Sequence, residues 1–185
     1  MRVERGGLEG VLVFTPEMHG DARGRFRELW RELSYREAGI SRPFVQDNAS
    51  VSGRDVLRGL HFQHPGGQGK LVTVLTGEAQ QVLVDVRRGS PTFGRHLSYR
   101  LAGEAPTQVY VPSGFAHGVL MLTDTVVLTY KCTAYFDASA TQCVRWDDPD
   151  LGIAWGVRSP VVSTQDASAP RLVEIAAERL PTYEA

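Results

Sequence analysis

The side chains best suited to binding an anion or moving a proton sit where solvated charge is out of place. Arg58 and His61 lie in Val56-Leu57-Arg58-Gly59-Leu60-His61-Phe62-Gln63, and Lys70 lies in Gln68-Gly69-Lys70-Leu71-Val72-Thr73-Val74. His64-Pro65-Gly66-Gly67 breaks regular structure between them, so the stretch reads as two strands joined by a loop. Basic side chains on strands rich in Val and Leu need anionic or polar partners, because unpaired buried charge is costly. A bound anionic substrate would supply them. A surface hairpin with solvated Arg and Lys and one structural histidine is the competing reading. Strict alternation puts Arg58 and His61 on opposite faces, whereas a bulge at Gly59 would re-aim one of them. The pattern leaves both open.

Two further groups stand inside apolar patterns. His117 follows a turn in Val111-Pro112-Ser113-Gly114-Phe115-Ala116-His117-Gly118, and Tyr130 interrupts Val127-Leu128-Thr129-Tyr130-Lys131-Cys132. Taken singly, such residues are usually structural, each satisfied by one hydrogen bond. Upstream, Asp21 to Gly24 has turn chemistry. Charged and aromatic or apolar residues alternate after it, and Arg23, Phe26 and Glu28 together would suit a ring and a phosphate; a plain edge strand is the simpler reading.

The elements that must position these groups are mostly strands. Residues 11–14 form a short apolar strand, and residues 44–52 form a polar one whose Gln, Asn and Ser need partners. Further strands are expected over residues 79–87, 95–101, 107–111, 118–122 and 125–131, with Gly, Pro and Asp in the joins. Helices are expected over 30–38, stopped by Gly39, and over 170–180; the pattern loosens from Thr133, and residues 146–155 read as loop. Dense short strands with regular turns indicate a sandwich or barrel. Residues 1–185 show no repeat or linker and are expected to form one domain.

Composition narrows the function. The chain is 42% hydrophobic and 22% charged with a net charge of -1, so a general electrostatic footprint for nucleic acid is not expected. No apolar run is long enough to span a bilayer, and Met1-Arg2-Val3-Glu4-Arg5 has no signal-like apolar region; cytoplasmic residence is the default expectation. Cys132 and Cys143 lack C-x-x-C spacing and are expected to be free, buried thiols.

An ordered set of motifs carries a more specific signal. Gln46-Asp47-Asn48, Leu57-Arg58-Gly59-Leu60-His61-Phe62-Gln63, Gly69-Lys70-Leu71-Val72, Gly89-Ser90-Pro91-Thr92-Phe93-Gly94, Pro112-Ser113-Gly114-Phe115-Ala116-His117-Gly118, Tyr130-Lys131-Cys132 and Asp148-Pro149-Asp150-Leu151-Gly152-Ile153-Ala154-Trp155 together resemble the dTDP-4-dehydrorhamnose 3,5-epimerase family. The resemblance implies an all-β, cupin-like antiparallel β-barrel or jelly roll with short flanking helices. It implies a homodimer that needs no cofactor or metal, acting on a dTDP-linked 4-keto-6-deoxyhexose in deoxysugar biosynthesis of the dTDP-rhamnose type. By similarity His61 is the general base, Asp166 orients it, Tyr130 is the acid on the opposite face of the sugar, and Lys70 lies by the 4-keto oxygen. Arg58 and His117 line the pocket. Arg23, Phe26, Glu28, Gln46 and Asn48 match nucleotide and sugar contacts, some made across the dimer, and Tyr135 is a candidate for stacking on thymine.

The chemistry suits these residue types. A C–H beside a ketone yields its proton only when the enolate is stabilised, which requires a base, a cation or donor at the oxygen, and a proton source on the other face. Histidine can titrate near neutrality, and a carboxylate fixes its tautomer. Departures from the family pattern are Gln81, where an acidic residue is usual, Thr141 and Cys143, where Glu and Gly are usual, and Gln165 in place of a common Lys. They put the number of inverted carbons in doubt, so a 3- or 5-monoepimerase is an alternative. A metal-dependent cupin enzyme using His61, His64 and His117 belongs to another class, which Lys70 disfavours because a cation opposes a metal. An inactive sugar-nucleotide binding module is the third reading.

Overall fold

The computed structural model describes residues 1–184. In chain order it contains β1 (Arg2–Arg5), β2 (Leu12–Thr15), β3 (Met18–Asp21), β4 (Gly24–Arg27), α1 (Glu32–Glu37), β5 (Gln46–Ser52), β6 (Leu57–Gln63), β7 (Lys70–Thr76), β8 (Glu78–Asp85), β9 (His96–Ala102), β10 (Gln108–Val111), β11 (Phe115–Met121), β12 (Val126–Cys132), β13 (Thr141–Cys143) and α2 (Thr164–Ala167). They build two antiparallel sheets, in the orders β1-β2-β10-β7-β12-β5 and β13-β6-β11-β8-β9, with β3 and β4 pairing apart as a hairpin. This is the expected all-β, cupin-like jelly roll.

Period-two alternation explains which side chains meet. Val72, Val74, Leu83, Val109, Val119, Met121 and Leu128 point between the sheets and form the inner core. Leu57, Leu60, Phe62, Val82, Val84 and Leu120 point outward from the second sheet and are covered by Leu151, Trp155, Leu172 and Leu180 of the C-terminal segment. Burial on both faces accounts for the nearly continuous apolar runs of β8 and β11. The outer face of the first sheet is covered around α1, where Tyr35 packs with Phe14 and Leu71, its ring 4.6 Å from that of Phe14. On β5 the pattern is inverted in chemistry: Gln46, Asn48, Ser50 and Ser52 take the less exposed positions and Asp47, Ala49 and Val51 the exposed ones.

The helix expected over 30–38 is the six-residue α1, and Gly39 beyond it has φ +111°, the conformation that ends a helix. The helix expected over 170–180 is instead two 3₁₀ turns, Leu172–Glu174 and Ala177–Arg179. Pro170 and Pro181 confine that segment, and a helix that short gains too little from propensity alone. Leu172 and Leu180 are drawn onto the second sheet, and the Leu172 N–H donates to Asp148 at 2.8 Å. β13 lies where the sequence pattern loosens and exists through its pairing with β6. Both cysteines are free, as expected, but Cys143 is only half-buried.

Candidate active site

β6 brings the basic groups together through an irregularity. His117 on β11 faces His61, and Val119 faces Arg58, so three steps along β6 match two along β11. The extra residue is a β-bulge. Gly59 sits in it with φ +118°, and a Cβ there would lie 2.5 Å from the His117 carbonyl oxygen, so only glycine fits. The bulge turns Arg58 to the side of His61, which settles what alternation left open.

Both then line a cavity of about 480 Å³ between the sheets. Arg58, His61 and His117 belong to the second sheet, Lys70, Tyr130 and Ser50 to the first, and Val119, Met121 and Leu128 supply an apolar lining. An adjoining cavity of about 340 Å³ shares His61, Lys70 and Tyr130 and adds Gln46, Asn48, Gln63 and Phe136. The polar face of β5 is thus spent on this cavity, with Asn48 opposite Tyr130 in the register.

Asp166 reaches His61 from α2. Ser163 caps that helix, accepting the Asp166 N–H at 3.1 Å. The carboxylate is 3% exposed; Oδ1 lies 2.5 Å from His61 Nε2, and Oδ2 accepts the Gly59 N–H at 3.3 Å. Burial opposes protonation of His61, but bonds to Asp166 and to Cys143 outweigh it and raise the imidazole to about 9. Burial pushes Asp166 up, yet His61 and the Gly59 N–H more than compensate and hold it below its usual value. The pair therefore rests as imidazolium and carboxylate at neutral pH. Burial, then Lys70 and His61, drive His117 well below its usual value, so it stays neutral. Its Nε2 has no hydrogen-bond partner among the described residues. Burial lowers Lys70 and raises Tyr130, which keeps its proton.

The sequence-derived candidates divide. His61, Asp166, Lys70, Tyr130, Arg58, His117, Gln46 and Asn48 converge on the two cavities. Arg23 and Phe26 lie on the β3–β4 hairpin, where Phe26 is 69% exposed, and Glu28 pairs with Arg31 just beyond it; none of the three lines either cavity within this chain. Tyr135 is 72% exposed and outside the lining, which its neighbour Phe136 joins, held by an N–H bond to Gln46 Oε1 at 2.9 Å. Sequence reasoning passed over Ser50, Ser163 and Phe136. For Ser50 a signal existed, two residues from Asn48 on the same polar strand.

The departures also have places. Gln81 is fully buried opposite Val119, and neither amide atom finds a partner among the described residues. Thr141 lines the second cavity. Gln165 Nε2 donates to Cys143 Sγ at 3.1 Å. His64 lines neither cavity, so the histidine pair of a metal-dependent cupin is not formed.

Fold and site together are those of a cupin-like isomerase, with acid–base groups on two facing sheets. The family model described as dTDP-4-dehydrorhamnose 3,5-epimerase matches residues 5–174, and this chain belongs to that family. It is 44% identical to the dTDP-4-dehydrorhamnose 3,5-epimerase of Methanothermobacter thermautotrophicus over 154 residues, 83% of each chain. It is 41% identical to the dTDP-4-dehydro-6-deoxyglucose 3-epimerase of Streptomyces bikiniensis over 184 residues, covering 96% of this chain and 93% of that one. Among solved structures, a dTDP-6-deoxy-D-glucose-3,5-epimerase from Legionella pneumophila in complex with dTDP-4-keto-L-rhamnose superposes with a TM-score of 0.96 at 42% identity, covering 100% of this chain and 99% of that one.

Proposed function

We propose that this enzyme inverts C3, C5 or both in a dTDP-linked 4-keto-6-deoxyhexose, the reaction class of its family, in deoxysugar biosynthesis. The observation that carries the mechanism is the division of groups between walls. The His61–Asp166 pair lies on one side of the cavity, and Lys70 and Tyr130 project from the opposite sheet. In this reading neutral His61 removes the proton beside the ketone, and Asp166 orients the ring and stabilises the imidazolium that forms. The Lys70 ammonium receives the enolate oxygen. Tyr130 returns a proton from the other wall without ever carrying positive charge. Arg58 and neutral His117 line the sugar site, and Gln46 and Asn48 extend it. Because Arg23, Phe26 and Glu28 lie apart from this cavity, we assign them to the nucleotide site of a second copy, in a homodimer. Two free cysteines fit a reducing, cytoplasmic compartment.

The number of inverted carbons is a separate matter. The two relatives are named as a 3,5-epimerase and a 3-epimerase at 44% and 41% identity, so likeness does not discriminate. Gln81 leaves Lys70 without the acidic neighbour usual in the family, and Thr141 is shorter than the usual Glu. We expect epimerase activity with an altered ratio of C3 to C5 inversion.

Incubation with dTDP-4-keto-6-deoxyglucose in deuterated water, followed by NMR, tests this. Deuterium should enter at C3, C5 or both, and His61→Asn should slow entry by about 10²–10⁴-fold while dTDP binding persists. Near-normal turnover by His61→Asn would remove His61 as the base. Equal, complete incorporation at both carbons with a rhamnose-configured product would refute the altered ratio.

A further inference from the structure

Cys143 stands directly opposite His61 in the pairing of β13 with β6. Cross-strand partners hold their Cβ atoms about 4.5–5.5 Å apart, so the sheet itself fixes the thiol beside the imidazole. Gln165 holds the sulfur from the other side, and Asp166 meets the same ring from α2. One ligand atom from each of His61, Cys143 and Asp166 lies within 4.8 Å of the others. Nitrogen, sulfur and carboxylate oxygen are the donors of a three-ligand zinc site with an open fourth position.

We propose that His61, Cys143 and Asp166 bind a soft divalent cation of the zinc class, and that this ion switches the enzyme off. Bond lengths of about 2.0–2.3 Å set donors around tetrahedral zinc roughly 3.3–3.8 Å apart. The His61–Asp166 contact of 2.5 Å therefore opens by roughly 1 Å through side-chain rotation. The S–H bond and one N–H bond of the imidazolium break, metal–sulfur and metal–nitrogen bonds form, and both protons pass to solvent; no electron is transferred. Thiolate and carboxylate together cancel the charge of the ion, which lets a cation enter a cavity that also holds Arg58 and Lys70. Magnesium and calcium prefer oxygen shells, and the thiolate selects against them. On His61 the ion takes either the lone pair that accepts the substrate proton or the place of the proton shared with Asp166. Both leave no base. The inhibition rests on the proposed role of His61; the binding does not.

Cobalt(II) probes the site itself. Titrated into metal-free protein, it should give a thiolate-to-metal charge-transfer band that saturates at one equivalent, is displaced by zinc and is absent in Cys143→Ala. Zinc should suppress proton exchange by the wild type, reversibly with a chelator, and Cys143→Ala should need at least about 10–100-fold more zinc for the same effect. A missing band, or one that survives Cys143→Ala, overturns the site. A band together with turnover unaffected by bound zinc overturns the switch. Absence of turnover in metal-free wild type would overturn the proposed function and the switch with it, while the cobalt band still decides the site.

Discussion

At the scale of single residues, the proposed mechanism makes the His61–Asp166 pair set the pH range of the reaction. With His61 raised to about 9, the ring holds a proton at neutral pH, and only the minor neutral fraction can accept one. The kcat/KM profile, which reports the free enzyme, should rise with pH through a midpoint near 9 and level off only above it. Asp166→Asn removes the carboxylate that retains the proton but leaves the burial that opposes it, so the limb should move down toward 6.5. A limb that stays at about 9 in that variant would remove Asp166 as its cause. The same shift has a sign for stability. A folded-state value above 6.5 contributes stability that is fully present below pH 6.5 and lost as pH rises through about 9. Thermal midpoints should fall across that window more steeply for the wild type than for His61→Asn. On the opposite wall, Tyr130→Phe should leave deuterium exchange at the first carbon measurable and block inversion, since in the proposed mechanism proton removal by His61 does not need the phenol. Full inversion by Tyr130→Phe would take the acid role from it.

At the scale of elements, the bulge in β6 does the positioning. Gly59 cannot carry a Cβ without meeting backbone of β11, and its positive φ disfavours any other residue. Gly59→Ala should destabilise the fold by about 1–3 kcal/mol or more, since backbone strain alone is worth that much. It should also lower turnover beyond what the loss of folded protein explains, because Arg58 and His61 would no longer share one side. Urea unfolding with kinetics on the folded fraction measures both. Wild-type values for each would show that the strand tolerates another path. β5 makes a complementary contribution: its polar residues Gln46, Asn48 and Ser50 sit opposite Cys132, Tyr130 and Leu128 of β12 and give the two cavities a hydrogen-bonding wall.

At the scale of the whole molecule, the hairpin of β3 and β4 and the outer face of β5 stand open. Phe26 and Val51 are each 69% exposed, and β5 is the edge of its sheet. Exposed edges and large exposed side chains are features that partner chains cover. Sedimentation at micromolar concentration should give twice the 20.4 kDa chain mass. Val51→Asp should weaken the proposed dimer, and Phe26→Ala should raise KM more than it lowers kcat, because in the proposed shared site it removes nucleotide binding rather than chemistry. A monomer with full activity would end the reading of a shared site.

What the sequence by itself determined was local. Strand alternation is a property of neighbouring residues, so β7, β8, β11 and β12 were legible from period and β-branched content. Lys70 and His61 stood out because a basic group in such a run is out of place, whereas Tyr130, structural when read singly, stood out only through the ordered motifs that pointed to the family. The tertiary structure decided what depends on distant pairings. Arg58 joins His61 only because β11 forces an extra residue into β6. The three-residue β13 exists only against β6, and it alone brings Cys143 to His61. Residues 170–180 gave up a helix because two leucines gain more by burial against a sheet whose strands lie between residues 57 and 143. The His61–Asp166 contact joins residues 105 apart; a local pattern carries no information about such a contact, because the packing of the assembled sheets sets it.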